Sequence, residues 1–586
     1  MFKNYFKAAL RNMRLHKGLS FITIFGFAAG LACCILITLF TIDQLGFDRH
    51  YPDADRTYRI GISAALNSNT FNGPVSCAPM AETVKREIPE VEAITRFLGG
   101  SRGAPVVRYK DKVFSEERFY WADPTFFDVF KTPFIKGDPR TALSQANSVV
   151  LTSSMAKKYF GSENPIGKTI NTDNRRDFQV TGVVPDVPRQ SHFHYDFIGP
   201  LSIFDNSRST SWIGNNFYTY LVLRPGASAS ATDAKLQEIV RLHAAPQFQM
   251  MFGVSWDQLL KSGAKYHYFL QPMTDIHLRS NYDFELEANG DISSVYLFSL
   301  VAFGVFLLAC VNFINLTTAR AATRAREIGI RKAIGSSRGQ LIRQFLFESS
   351  LTSFMAIILA LALAILLRPY FKQLAGENAD IVIQSNPWLL PILLALLVLS
   401  GLVAGAYPAF YLSSFRPAQV LKGQPGGIKG KTWMRSLLVT FQFTMSIALI
   451  IGTLVINRQL HYMQNKKLGF DKEQVLVVKK TDDLGKQVEA FKQELLANPD
   501  IVAVGNSANL MGDPSFGDNV YMVPGATGVA QHILLNIYSD EGFLRAFDIR
   551  MAAGRFFEKD RQSDLQGVVL NETAVRELGL TDPVGK

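Results

Sequence analysis

Cysteine is nearly absent, with four residues in 586. Three of them, Cys33, Cys34 and Cys310, fall inside apolar runs, so no disulfide framework can be assembled, and Cys77 is expected to be a free thiol. Acidic residues are missing where basic ones gather. Residues 1–18 carry Lys3, Lys7, Arg11, Arg14 and Lys17 without an acid. Residues 413–435 carry Arg416, Lys422, Lys429, Lys431 and Arg435, again without an acid, and residues 320–343 hold seven Arg or Lys against Glu327 alone. A net charge of +11 would suit nucleic acid if it were spread over a soluble face. Concentrated beside apolar runs, it points to a lipid bilayer and away from a nucleic-acid partner. A phosphate-binding loop is also missing. Gly161 to Thr169 comes near one, but five residues separate Gly161 from Gly167 where the motif has four, and Pro165 stiffens the turn. No nucleotide or other cofactor is expected to bind this chain. His192, His194, Asp196, Asp275 and His277 match no ligand spacing, and no nucleophile, base and orienter set is present, so neither a metal site nor a catalytic residue is predicted.

What the chain does have is long apolar runs, at 19–42, 292–319, 344–367, 387–412 and 437–456. About 20 apolar residues suffice for a helix to cross a bilayer. The reading is a multi-pass α-helical membrane protein with five transmembrane helices in this chain. The basic stretches mark the untranslocated side, which puts 1–18, the loop 320–343 and the linker 413–436 inside and 43–291, 368–386 and 457–586 outside. Residues 43–291 contain no spanning run. Phe178–Val184 and Phe217–Leu223 are rich in β-branched and aromatic residues, whereas 81–87 and 233–242 have helical patterning, so the external domains are α+β. Gly26 and Gly30, and again Gly401 and Gly405, have the four-residue spacing that lets helices approach closely, within one chain or between two.

The loop 320–343 reads RAATRAREIGIRKAIGSSRGQLIR. Glu327 and Arg331 are spaced i,i+4 with the acid first, Gly335 stands where a left-handed residue would end a helix, and Ser337 with Gln340 has capping-box spacing. The expectation is a short helix, a tight turn and a new helix running into the third span. On charge alone, arginines that meet anionic headgroups are the preferred reading of this loop, and it is a resemblance that turns the choice. The run Arg326, Glu327, Ile328, Gly329, Ile330, Arg331, Lys332, Ala333, Gly335 closely resembles the signature between the second and third spans of the MacB/FtsX family of ABC transporter permeases. Phe126–Phe130, Ser148–Lys168 and Phe178–Pro188 likewise resemble a MacB-type periplasmic core.

The resemblance implies a MacB-like core domain at 43–291 and an FtsX-like permease domain at 292–412, in a bacterial inner membrane with the N-terminus cytoplasmic. It implies a cytoplasmic ABC ATPase dimer as partner, with ATP hydrolysed there and not in this chain. A periplasmic adaptor and an outer-membrane channel are further partners that it suggests. Arg326, Glu327, Arg331 and Lys332 would then make charged contacts with the ATPase, Ile328 and Ile330 would fill its groove, Gly329 belongs to the same signature, and Gly335 would set the turn. Spans one and two would carry the motion outward. The other reading left open by the residues is a receptor or scaffold that recruits or regulates an external partner, such as a cell-wall hydrolase, without transport.

The chain also repeats itself. Leu45-Gly-Phe-Asp48 recurs as Leu468-Gly-Phe-Asp471, Phe127–Phe130 with Gly137 recurs as Leu544–Phe547 with Gly554, and SVVLTSSMAKKYFGSENPIGK is matched by GVVLNETAVRELGLTDPVGK. Residues 457–586 therefore read as a second core domain, incomplete at its C-terminal end, and four spans per unit would give both copies the same orientation. In the first copy ~120 external residues and three spans follow the matching point, so a continuation on the order of 200 residues is expected. Sequencing the source DNA past the codon for Lys586 should show an open frame with three more apolar runs and a second basic loop; an immediate stop codon would refute this.

Overall fold

The computed structural model describes residues 6, 11, 15, 17–66, 69–99, 104–253, 255–261, 263–319, 328–375, 387–413, 432–509, 511, 517–522 and 531–585. The chain divides into two compact units, one of residues 1–46 with 290–466 and the other of 47–289 with 467–586.

The first unit is helical. Its long helices are α1 (Lys17–Leu45), α2 (Ile292–Ala319), α3 (Arg338–Ala375), α4 (Leu389–Ser413) and α5 (Thr432–Asn465). All five are long and apolar enough to cross a bilayer, where a helix is favoured because it satisfies every backbone N–H and C=O within the segment. With the comparisons below, they make this a multi-pass membrane protein. α3 and α5 run past the apolar stretches at 344–367 and 437–456, since helical hydrogen bonding does not stop where hydrophobicity does. The core joins Phe27, Leu31 and Leu39 of α1 to Phe306 and Phe313 of α2, and to Ala356, Ala360 and Ala364 of α3. The alanines recur every fourth residue, so they lie on one face of α3 and give that core a stripe of small side chains.

Among the described residues the second unit is built on a mixed sheet of fourteen strands, which makes it α+β. Thr57–Leu66 pairs antiparallel with Lys265–Pro272 on one side and with Asn215–Leu223 on the other. Two pairings are parallel, Arg176–Val184 with Ser148–Thr152 and Phe197–Pro200 with Phe119–Ala122. Phe217–Leu223 shows no polar alternation because every one of its residues is buried. Helices Met80–Glu87 and Ala229–Phe252 present Met80, Val84, Leu236, Ile239 and Val240 to the same core, at the i, i+3, i+4 spacing of one helical face.

The repeat is visible in the backbone. Lys131 and Asp548, Gly137 and Gly554, Gly161 and Gly579, and Gly167 and Gly585 are matched pairs, and all eight residues have positive φ. The resemblance to a phosphate loop thus resolves into a turn used twice. In the first copy Gly167 N–H donates to the Val180 carbonyl at 2.8 Å, and Lys168 pairs with Glu163.

Two side chains in this unit are buried and shifted from their ordinary pKa. Cys77 is a free thiol, but it is fully buried and its pKa is pushed up to about 12 by desolvation. It therefore cannot report sidedness to an impermeant reagent in the native protein. His277 is buried with its ring stacked on Phe47 at 3.4 Å between centroids, and desolvation lowers its pKa from 6.5 to about 4. The folded state keeps it neutral where the unfolded chain would protonate it. Its contribution to stability is therefore whole above pH 6.5 and is lost as pH falls toward 4, a change of about 3 kcal/mol. Burial lowers the pKa of His50 in the same direction. We predict that the urea midpoint of this unit, followed by tryptophan fluorescence of the full chain, falls between pH 7 and pH 4.5, and that H277F, which keeps the ring stack, reduces the fall. Equal falls in both proteins would contradict the assignment to His277.

Candidate functional site

The described part of the loop between α2 and α3 contains a short helix at 328–333, a turn and the start of α3. The turn follows from Gly335. At φ +100° it adopts a conformation that side-chain-bearing residues avoid. This brings Gly335 N–H to the Lys332 carbonyl at 3.1 Å and Ser336 N–H to the Arg331 carbonyl at 3.0 Å, the paired bonds of a Schellman ending. α3 then begins with a reciprocal capping box. Gln340 N–H donates to Ser337 Oγ at 3.3 Å, and Ser337 N–H donates to Gln340 Oε1 at 3.0 Å.

The short helix has two unlike faces. Inward, Ile328 is 2% exposed and packs with Leu341 and Phe345 of α3 and Ala409 of α4, and Gly329 is buried beside it. One turn on, Lys332 Nζ donates to the Ser413 carbonyl at 2.6 Å. Burial, then the nearby Arg338 charge, lowers the pKa of Lys332. Arg331 reaches sideways to Gln344 Oε1 at 3.0 Å. Outward, Ile330 is 46% and Ile334 82% exposed, and the two are i,i+4 neighbours. Arg326 and Glu327 lie outside the described residues.

This placement changes the roles suggested by sequence. Ile328 is committed to the chain's own core and Lys332 to the end of α4, so neither side chain faces outward. Ile334, which the motif did not single out, is the most exposed apolar side chain of the segment. Its signal was present in the four-residue spacing from Ile330. The importance of Ser413 had no local signal, because it lies 81 residues from Lys332.

The close-spaced glycines lie at helix contacts within the chain. A Cβ on Gly30 would come within 2.7 Å of Ala309 Cβ on α2, and one on Gly26 within 3.3 Å of Asn312 Nδ2. On α4, Gly401 and Gly405 face Ser350 and Ser349 of α3, where added Cβ atoms would meet side-chain atoms at 2.9 Å in each case. Asn315 of α2 donates to Gln442 Oε1 of α5 at 3.1 Å. Among the described residues no group of three or more His, Cys, Asp or Glu could hold a metal ion. In the sheet unit His192 is occupied instead by Asp48, at 2.8 Å, and by Tyr220, at 2.7 Å.

Comparison with known proteins gives two family matches, a MacB-like periplasmic core domain over residues 20–239 and an FtsX-like permease C-terminal domain over 299–417. The second match encloses the short helix. Among curated relatives, the macrolide export ATP-binding/permease protein MacB of Bdellovibrio bacteriovorus is 24% identical over 278 residues, covering 47% of this chain and 38% of that protein. The protein of the same name from Shewanella sp. strain W3-18-1 is 22% identical over 388 residues, covering 64% and 54%. The chain therefore spans only about a third to a half of the length of these relatives. The periplasmic region of MacB from Actinobacillus actinomycetemcomitans, a crystal structure, aligns at 18% identity and a TM-score of 0.26, over 38% of this chain and 91% of that one. The domains matched here are permease-type, whereas the named relatives are ATP-binding/permease proteins. The order of these two domains and the helices that carry them support a MacB/FtsX-like ABC permease.

Proposed function

We propose that this chain is the membrane subunit of an ABC-type transport or mechanotransmission system, driven by a cytoplasmic ATPase dimer on a separate polypeptide and acting on an extracytoplasmic substrate for export. The observation that carries this reading is the outward pair Ile330 and Ile334, on a short helix whose opposite face is anchored in the bundle. An exposed apolar pair on a rigid, basic segment is suited to a groove on a protein partner. Its neighbours Arg331, Arg338 and Arg343 supply charge around that contact, and Arg326 and Glu327, which lie outside the described residues, are proposed to add to it. In this reading the loop and the N-terminus are cytoplasmic and the sheet unit is extracytoplasmic, where an adaptor and an outer-membrane channel would meet it.

The test is a nucleotide-hydrolysis assay on the full chain reconstituted with the ATPase that co-purifies with it. I334D, alone and with I330D, places a charge where nothing of the chain's own core is disturbed, so insertion should be normal. Chain-dependent stimulation should fall at least tenfold, the consequence of about 1.4 kcal/mol lost at a contact. G335V, which forces a branched side chain into a left-handed turn, should lower stimulation in the same assay. Undiminished stimulation in the double aspartate variant would remove the docking assignment.

A further inference from the structure

We infer that Lys332 is a positioning residue that fastens the short helix to the C-terminal end of α4, so that helix 328–333, the first turns of α3 and the end of α4 move as one body. The inference rests on the docking reading above and adds to it the route by which force enters the bundle.

Ser413 is the last residue of α4, so its carbonyl is among those that a helix leaves without an internal partner, at the negative end of the helix dipole. An ammonium on that carbonyl satisfies both conditions, and Lys332 Nζ sits there at 2.6 Å. The Ser413 side chain is held in turn, its hydroxyl donating to the Phe410 carbonyl at 3.1 Å while Arg338 Nε donates to Ser413 Oγ at 3.5 Å. Ser413 is fully buried and Lys332 half-buried, so the carbonyl end of the tie is out of water, where charge contacts are weakened less than on an exposed surface.

A second observation places the same elements together. Ile328, one helical turn before Lys332, packs on Ala409, one turn before Ser413, and on Leu341 and Phe345 of α3. The apolar contact and the polar tie are thus stacked along one seam. Further along, Ser349 and Ser350 of α3 meet Gly405 and Gly401 of α4 so closely that a Cβ on either glycine would come within 2.9 Å of a serine side-chain atom. Pressure on Ile330 and Ile334 therefore reaches α3 and α4 through contacts already formed, and α1 through its packing on α3.

The experiment compares K332M, which keeps the apolar stem and loses the charge, with K332R, using the full chain with its co-purifying ATPase. Two quantities are measured for each: the affinity of the ATPase for the chain, and the chain-dependent stimulation of hydrolysis at saturating ATPase. K332M should leave affinity within about twofold and reduce stimulation roughly fivefold, the equivalent of one favourable helix-terminus charge, whereas K332R should restore stimulation. Amide hydrogen exchange over 328–336 should speed up by a similar factor in K332M. Tenfold weaker ATPase binding in K332M would make Lys332 a docking contact and overturn the inference. Unchanged stimulation or unchanged exchange would overturn it as well. The docking reading fails separately, by the aspartate variants at Ile330 and Ile334, and not by any result at Lys332.

Discussion

Helices of one or two turns are marginal in water, because the nucleation cost is spread over too few hydrogen bonds. The helix that ends at Ala333 therefore depends on where it is seated. Ile328 in a pocket lined by α3 and α4, and Lys332 on the last carbonyl of α4, hold it down; Gly335 ends it and the Ser337–Gln340 box starts the next helix at a fixed angle. Once the inward face is fixed, the outward face is no longer a choice. Ile330 and Ile334 must point away from the bundle, and the functional reading of the protein follows from that.

The bundle beneath can receive such a contact because its helices are packed by small residues. Between lipid-facing helices the hydrophobic effect contributes little, and close approach of backbones supplies the attraction instead. Gly30 against Ala309, and Gly401 and Gly405 against Ser350 and Ser349, leave no room for relative sliding without opening a gap. Tightly packed interfaces of this kind shift as bodies and do not deform smoothly. A short helix joined to two of these spans is a handle on the pair.

Features set by local chemistry could be read from the sequence. The helix, turn and helix order at 328–340 is written in Gly335, Ser337 and Gln340. The spans are written in their apolar runs, and the α+β unit in the contrast between FYTYLVL and the patterned helices. The repeat was legible too, and the shared positive-φ positions at Lys131 and Asp548, or Gly161 and Gly579, show that it extends to backbone shape. What could not be read depended on partners distant in sequence. The motif gives Ile328 and Ile330 equal standing, and only Ala409 and Ser413 decide which of the two faces is buried. Cys77 sits in a two-residue strand that looks unremarkable, yet the sheet covers it completely. Asp48 and His192 are 144 residues apart and meet only because the fold brings them together.

The central claim is that the short helix offers one face to a partner and commits the other to its own bundle. Photo-cross-linking residues placed singly at 328, 330, 332 and 334, in membranes containing the full chain and the proposed ATPase partner, address this directly. The account predicts adducts with the ATPase from positions 330 and 334, and only internal products, mapping to α3 and α4, from positions 328 and 332. ATPase adducts from 328 and 332 with none from 330 and 334 would contradict it.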